Sequence, residues 1–286
     1  MRHFVAACLL LCLAAAPARA HPGVGIVADG QNNVFYTDLV HVWRIAPNGS
    51  KSIAVGNVHS HELAIDSQGN LVGEDSQYLG GDRYRHRVWR RSPDGRISDV
   101  IPWRDGFWRQ YGFVRDRAGA MYWVQCPERR CVIRKRTPDG RTHTLAPGVR
   151  LTRNVPTVNW LTIASDGSVY FPDGRDLRRI QAGGRVTTIA SGLAPRPADR
   201  NASELHSLFG LWPDARGNVY VANSAGRSVV SVTPKGHVAV VARTLAPWSP
   251  TGLFVASDKS LWILEYSTSN QARVRRVTRN GRSTVF

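Results

Sequence analysis

The sequence predicts an all-β protein, a six-bladed β-propeller with four antiparallel strands in each blade. Two interleaved series of turns support this prediction. The first series consists of hairpin turns such as APNGS (46–50), SPDGR (92–96) and TPDGR (137–141). Their glycines fall at 49, 95, 140, 184, 236 and 281, so successive turns are 46, 45, 44, 52 and 45 residues apart. Four strands repeated at about this period are typical of propeller blades.

The second series lies between the first turns. Each member has an apolar strand, a turn rich in Gly, Asp and Asn, and a second apolar strand, as in AIDSQGNLVGED (64–75) and WPDARGNVYVAN (212–223). Gly and Asn supply the backbone conformations that tight turns require. A single blade cannot bury both faces of its sheet, so repeated blades must supply its neighbours. We expect blades at about 24–58, 59–108, 109–157, 158–206, 207–248 and 249–286, with no strand exchange closing the ring.

The N-terminus has the pattern of a secretory signal peptide at residues 1–20. A basic start at Arg2 and His3 precedes an apolar run, and Ala18-Arg19-Ala20 forms a small-residue cleavage site. We therefore expect a secreted or periplasmic protein whose residues 21–286 form one domain. The sequence predicts no transmembrane segment, and we expect a monomer.

The chain is strongly basic, with 38 Lys and Arg residues against 21 Asp and Glu and a formal net charge of +17. Removal of Arg2 and Arg19 with the signal peptide takes this to +15. The arginines are spread through every repeat, and an exported chain seldom meets nucleic acid, so we expect no nucleic-acid partner. A small-molecule substrate or an anionic envelope component is the expected partner.

Two cysteines remain after the signal peptide, Cys126 and Cys131 in VQCPERRCVI. Two strand-like flanks place these thiols across the mouth of a hairpin, where a disulfide closes in an oxidising compartment. A zinc site is the weaker alternative, because no further Cys or His lies nearby in the sequence.

Comparison of the blades separates recurring residues from exceptional ones. The end of the second strand is polar in all six blades, which indicates loop capping rather than a metal cage: Asp38, Asp75, Gln125, Asp173, Asn223 and Glu265. The start of the innermost strand varies instead, and it lines the mouth of the central channel: Val24, His61, Tyr111, Asn159, Phe209 and Thr251. From this position we predict Tyr111 and Thr251 as substrate-binding residues, with Trp108 and His206 from adjoining segments.

Glu74 is the sharpest exception. The equivalent residues are uncharged and mostly apolar, namely Thr37, Val124, Pro172, Ala222 and Leu264. A buried carboxylate requires a partner, since leaving it unpaired costs several kcal/mol. If a four-residue turn pairs Asp66 with Leu71, then His61 lies on the same strand face as Glu74. Glu74 then orients His61 for catalysis, or both bind a metal; the alternative is a satisfied buried polar pair with a structural role.

The motifs FGLWPDARGNVYVAN (209–223) and ELAIDSQGNLVGED (62–75) resemble those of NHL-repeat and gluconolactonase/senescence-marker propellers, and the resemblance covers the chain after the signal peptide. In gluconolactonase-like enzymes the start of the innermost strand carries metal-binding Asn and Asp. The resemblance thus implies Asn159 as a ligand, whereas Phe209 stands where Asp is expected. NHL-type amidating lyases carry zinc-binding histidines at this place, and His61 in VHSHELAID matches one of them.

These observations predict a hydrolase of a small ester or lactone that acts at the channel mouth. In this hypothesis His61 and Asn159 hold a divalent metal, calcium or zinc, and Glu74 orients His61 or activates water. The alternative is a non-catalytic propeller that binds an anionic envelope polymer or a protein. A metal-dependent lyase resembling the amidating enzymes is a third hypothesis.

Overall fold

The computed structural model describes residues 22–81, 83–106, 114–116, 118–127, 130–152, 155, 157–199 and 201–286. These residues form 24 strands in six sheets, and each sheet contains four antiparallel strands that follow one another in the chain. No α-helix occurs in the described part of the chain. The predicted six-bladed β-propeller is therefore confirmed. The predicted signal peptide at 1–20 lies outside the described residues.

The first three blades contain these strands. Blade 1 has β1 (Ile26–Ala28), β2 (Val34–Thr37), β3 (His41–Ile45) and β4 (Lys51–Gly56). Blade 2 has β5 (Leu63–Ile65), β6 (Leu71–Gly80), β7 (Arg83–Arg91) and β8 (Ile97–Asp105). Blade 3 has β9 (Val114–Arg115), β10 (Met121–Gln125), β11 (Arg130–Arg136) and β12 (Thr142–Arg150).

The second three blades repeat the same order from the innermost strand to the outermost. Blade 4 has β13 (Thr162–Ile163), β14 (Val169–Asp173), β15 (Asp176–Ile180) and β16 (Val186–Ala190). Blade 5 has β17 (Leu211–Pro213), β18 (Val219–Asn223), β19 (Ser228–Val232) and β20 (Val238–Arg243). Blade 6 has β21 (Trp248–Val255), β22 (Leu261–Ser267), β23 (Ala272–Val277) and β24 (Ser283–Val285).

The turn between β5 and β6 has three residues, not the four expected from the sequence. The Asp66 N–H donates to the Asn70 carbonyl, and one Asp66 carboxylate oxygen accepts the N–H groups of Gln68 and Asn70. Ile65 consequently pairs with Leu71. The expected pairing of Asp66 with Leu71 is therefore wrong by one residue, because the Asp side chain closes a tighter turn.

The ring closes without strand exchange, since β1 and β24 belong to different sheets. One apolar cluster joins blade 1 to blade 6, with Tyr36 and Phe254 among its buried members. The Tyr266 hydroxyl donates to the Thr37 carbonyl at 2.9 Å, and the Thr251 hydroxyl donates to the Gly23 carbonyl at 2.8 Å. Side-chain packing and these two hydrogen bonds hold the first and last blades together.

Glycines mark the places where innermost strands of neighbouring blades meet. A Cβ on Gly252 would lie 2.1 Å from the Val24 carbonyl oxygen, and one on Gly210 would lie 2.8 Å from the Thr251 carbonyl oxygen. Distances this short leave no room for a side chain. The centre of the ring is therefore tightly packed where blades 5, 6 and 1 meet.

The recurring polar residues of the second strands bind nearby groups, as predicted for a structural role, although in blades 2 and 6 the strand continues beyond them. Asp75 accepts the backbone N–H of His59 and pairs with Arg87 at 3.2 Å. Glu265 is fully buried and pairs with Arg273 and Arg275, each at 2.7 Å. Asp75 thus fastens the segment before the innermost strand of blade 2 to its sheet, and Glu265 joins two neighbouring strands of blade 6.

The predicted disulfide is confirmed: Cys126 and Cys131 are joined by an S–S bond of 2.02 Å between β10 and β11. In the part of the chain that the structure describes, no helix has the length and apolar character needed to cross a membrane.

Candidate active site at the channel mouth

The candidate site is built on the segment 59–62, which leads into the innermost strand of blade 2. The N–H groups of Val24 and Gly25 each donate to the His61 carbonyl at 2.8 Å. The Val24 Cβ in turn lies 3.5 Å from the position of a Cβ on Gly210. These contacts link blade 2 through blade 1 to blade 5 at the start of their innermost strands. His61 therefore lies at the mouth of the channel.

Glu74 organises this segment from the neighbouring strand. Only 3% of the residue is exposed. Its carboxylate accepts the backbone N–H groups of His61 and Glu62, the latter at 3.1 Å. The His61 imidazole lies beside it, with Nδ1 3.5 Å from Oε1. His61 and Glu74 thus lie side by side, as predicted. Residues 61 and 62 precede the strand, and their backbone N–H groups point toward the Glu74 carboxylate.

Glu62 is a further acidic residue of the site, which the sequence analysis did not identify. Glu62 lies directly beside Glu74, since its backbone N–H donates to the Glu74 carboxylate at 3.1 Å. Burial and the neighbouring Glu74 carboxylate raise the pKa of Glu62 well above its usual value. Two carboxyl groups in one desolvated place do not both ionise readily, so Glu62 retains its proton more strongly than an ordinary glutamate.

A signal for Glu62 is present in the sequence, one residue after the position that we compared. Four blades have glycine there, whereas blade 2 has Glu62 and blade 4 has Trp160; the glycines are Gly25, Gly112, Gly210 and Gly252. Close approach of the innermost strands explains the glycines at 210 and 252. A charged residue at such a position departs from the structural requirement and is therefore a candidate functional group.

His59 supports His61 from one side. The two imidazole rings meet edge to face, with centroids 4.7 Å apart. The backbone N–H of His59 donates to the Asp75 carboxylate at 3.0 Å. The His59 ring Nδ1 lies 3.0 Å from the Leu39 carbonyl oxygen. Burial and the adjacent His61 lower the pKa of His59, which favours its uncharged form. His59 is thus an anchored neutral ring against which His61 packs.

Three aromatic side chains pack together where the innermost strands of blades 4 and 5 begin, and Trp160 and Phe209 among them belong to a buried apolar cluster. The rings of Trp160 and Phe209 have centroids 5.7 Å apart, and His206 stacks on Phe209 at 5.5 Å with an interplanar angle of 13°. Trp160 is 6% exposed, and its Nε1–H has no hydrogen-bond partner among the described residues. Partial burial lowers the pKa of His206. Its predicted role in substrate binding remains a prediction that this placement supports.

The other predicted substrate residues have different outcomes. The buried Thr251 hydroxyl donates to the Gly23 carbonyl, so its donor is used in ring closure, and its predicted role in substrate binding stays a prediction. Trp108 and Tyr111 lie outside the described residues and remain predictions.

The predicted metal ligands, His61 and Asn159, lie in different blades. Asn159 belongs to blade 4, and the innermost strand of blade 3 contacts those of blades 2 and 4 between the two predicted ligands. No group of three or more His, Cys, Asp or Glu side chains arranged to hold a metal ion occurs among the described residues. The carboxylate of Glu74 already accepts two backbone N–H groups. No complete set of calcium or zinc ligands is thus found among the described residues, and the assignment of His61 and Asn159 as metal ligands stays a prediction.

No family model matches the chain, and no curated protein matches it. Solved structures do match it. A virginiamycin B lyase from Staphylococcus aureus is 15% identical, with a TM-score of 0.55 over 93% of this chain and 84% of that chain. Regucalcin from Agrobacterium tumefaciens, described as a calcium-binding protein, is 15% identical, with a TM-score of 0.55 over 85% of this chain and 81% of that chain.

A gluconolactonase from Xanthomonas campestris is also 15% identical, with a TM-score of 0.55 over 85% of this chain and 83% of that chain. Identities this low establish a common architecture and leave the chemistry open. The resemblance inferred from the repeats is confirmed at the level of the fold: the chain shares the six-bladed β-propeller of these proteins.

Proposed function

We propose that the protein is an exported enzyme that opens a small cyclic ester, a lactone, by acid–base catalysis at the channel mouth. The observation that carries the proposal is the placement of His61 and Glu62 on one segment, fixed by Glu74. The disulfide supports an oxidising compartment such as the periplasm. We further propose that residues 1–20 are removed and that residues 21–286 form the functional domain.

His61 is the proposed general base. Its Nδ1 faces the Glu74 carboxylate at 3.5 Å, which favours the tautomer with the proton on Nδ1 and leaves Nε2 as an acceptor. The imidazole is partly accessible, with 22% of the side chain exposed. A water molecule that donates to Nε2 loses its proton to His61 as its oxygen attacks the carbonyl carbon.

Glu62 is the proposed general acid. Breaking the ring C–O bond produces an alkoxide, which takes the proton of Glu62 as it leaves. The proton on His61 then returns to Glu62, so that one water is consumed and a hydroxy acid is released. A carboxyl group that keeps its proton in a desolvated place suits this role, as burial of a catalytic acid generally does.

The exposed His206 ring, which stacks on the buried Phe209, supports a small substrate with an apolar face. Aromatic rings beside a few polar groups are the usual lining of small-molecule sites. The gluconolactonase of the same fold supports a lactone as the substrate class.

Elimination is the second candidate, because the same two groups serve it. His61 then removes a proton from the carbon next to the one bearing the leaving oxygen, and Glu62 protonates that oxygen. The streptogramin B lyase of the same fold favours this alternative. The two reactions differ in their products, since hydrolysis adds water and elimination creates a carbon–carbon double bond.

We expect product analysis in ¹⁸O-labelled water to identify hydrolysis. The protein is incubated with a panel of aldonolactones, aryl esters and a streptogramin B depsipeptide, and products are examined by mass spectrometry and ultraviolet absorption. Hydrolysis adds one ¹⁸O to the new carboxylate, whereas elimination adds none and gives an absorbing alkene. Enzyme-dependent turnover without ¹⁸O would replace the hydrolase by the lyase, and no turnover of any member would count against both.

A further inference from the structure

A second cleft lies between blades 1 and 6, apart from the site of His61, Glu62 and Glu74. Its volume is about 450 Å³, within the range of ~300–1,000 Å³ that is usual for small-molecule sites. The side chains relevant to binding are Tyr36, Trp43, Lys51, Trp248, Asn270 and Gln271. None of them takes part in the proposed reaction, so the cleft requires a separate explanation.

Lys51 brings a positive charge into this cleft. Its Nζ lies 4.5 Å from the Trp43 ring centroid and 5.5 Å from that of Tyr36. No carboxylate of the described residues forms an ion pair with it, in contrast to Lys135, which pairs with Asp116 at 3.5 Å. The aromatic rings hold the ammonium group in place without neutralising it.

The acidic residue of the cleft, Asp38, already accepts three hydrogen bonds from the protein, although it keeps its negative charge. Asp38 accepts the N–H groups of Val40 at 2.9 Å and His41 at 2.6 Å through one oxygen. Its second oxygen accepts the Trp43 Nε1–H at 2.7 Å. The carboxylate therefore acts as a loop cap and has little capacity left to bind a ligand donor.

Tyr36 adds a second observation in favour of a ligand. The residue is 1% exposed, and its hydroxyl has no hydrogen-bond partner among the described residues. Burial and the nearby Asp38 raise the pKa of Tyr36, so the hydroxyl remains a donor. Tyr266 in the same cluster does find an acceptor, the Thr37 carbonyl. A buried donor without an acceptor costs free energy, which a ligand oxygen recovers on binding.

The cleft thus offers a cation and a phenol, with two indoles and the residues Asn270 and Gln271 also in its lining. These groups match an anionic ligand with several oxygens and a ring whose C–H face packs on an aromatic surface. We propose that this cleft binds a uronic acid, with its carboxylate at Lys51 and its pyranose ring against the indole wall. The basic character of the chain adds long-range attraction for such an anion.

Two kinds of ligand carry a uronate group: a free uronic acid, and a uronic acid unit of an acidic polysaccharide. The test measures binding of glucuronic acid, polygalacturonate and neutral glucose to the full protein, by saturation-transfer NMR and titration calorimetry. We expect one or both acidic ligands to bind and glucose not to bind. Binding of the monomer identifies the free acid as sufficient, whereas binding of the polymer alone identifies the polysaccharide.

Two substitutions, each with a matched control, test whether the ligand binds in this cleft. Lys51→Met keeps the packing on Trp43 but removes the charge, and we expect affinity to fall about tenfold or more. Tyr36→Phe removes only the hydroxyl, and we expect affinity to fall about fivefold while the stability of the free protein rises, because a buried donor without an acceptor is removed. The controls are Lys235→Met, in an exposed turn of blade 5, and Tyr266→Phe, which we expect to lower stability and leave affinity unchanged.

Equal binding of glucose and glucuronic acid would overturn the proposal, as would binding that neither Lys51→Met nor Tyr36→Phe weakens. Absence of binding by both acidic ligands would also overturn it. None of these three results bears on the reaction at the channel mouth, since the two sites share no residue and His61→Ala is expected to leave uronate affinity unchanged.

Discussion

Replacing Glu62 by glutamine is expected to lower kcat for ring opening by about 10²–10⁴-fold, the usual contribution of a positioned general acid. The amide keeps the size and the hydrogen-bonding groups of the side chain but holds no proton to transfer to the leaving oxygen. The measurement is the steady-state rate of the substrate found in the ¹⁸O screen. Asp258→Asn, in an exposed turn of blade 6, is the control and should retain the rate of the unaltered protein.

Glu62→Gln is also expected to raise stability relative to the unaltered protein, by an amount that grows as pH rises. The pKa of Glu62 is raised in the folded state. Below its unfolded value, about 4.3, the carboxyl is protonated in both states and costs nothing. As pH rises from this value toward the raised pKa of the folded state, the carboxyl ionises more readily in the unfolded chain. The unaltered protein therefore loses stability over this pH range. Thermal unfolding over a pH series should show the glutamine variant gaining on the unaltered protein; a constant difference would contradict a raised pKa.

Gly252→Ala is expected to destabilise the protein by about 3 kcal/mol, the upper part of the usual cost of overpacking. Its Cβ would lie 2.1 Å from the Val24 carbonyl oxygen, at a contact between the first and last blades. With no exchanged strand to close the ring, this packing has no substitute. Denaturant unfolding measures the loss.

Gly183→Ala is the matched control, because a Cβ at Gly183 would meet no atom within 4 Å and its φ is not positive. We expect the control to change the free energy of unfolding by less than about 0.5 kcal/mol, as surface substitutions generally do. Equal effects of the two substitutions would show that the contact at Gly252 carries no special part of the stability.

The repeats predicted the fold because each blade must satisfy the same backbone and packing requirements. The disulfide was predictable for a related reason, since Cys126 and Cys131 lie close together in the chain and on neighbouring strands. The role of Thr251 was not predictable from its blade alone. Its hydroxyl binds the Gly23 carbonyl, 228 residues away in the sequence, and such a contact exists only once the ring closes.

The site was partly predictable. Glu74 stood out because the other blades have uncharged residues at its position, and the structure places it beside His61. The register around it was wrong, because the Asp66 carboxylate closes a three-residue turn that the spacing of the glycine does not reveal. Glu62 was missed because only the first residue of each innermost strand was compared across blades. The following position, which is glycine in four blades, shows Glu62 as an exception.

The most direct test of the account is the turnover of lactones by metal-depleted protein, with and without His61→Ala. The protein is dialysed against a chelator, its metal content is measured, and the rate is followed before and after calcium or zinc is added back. We expect the metal-depleted protein to retain its rate and His61→Ala to reduce that rate by about 10²–10⁴-fold. A rate that disappears on chelation and returns with metal, or one that His61→Ala leaves unchanged, would contradict acid–base catalysis by the His61–Glu62 segment.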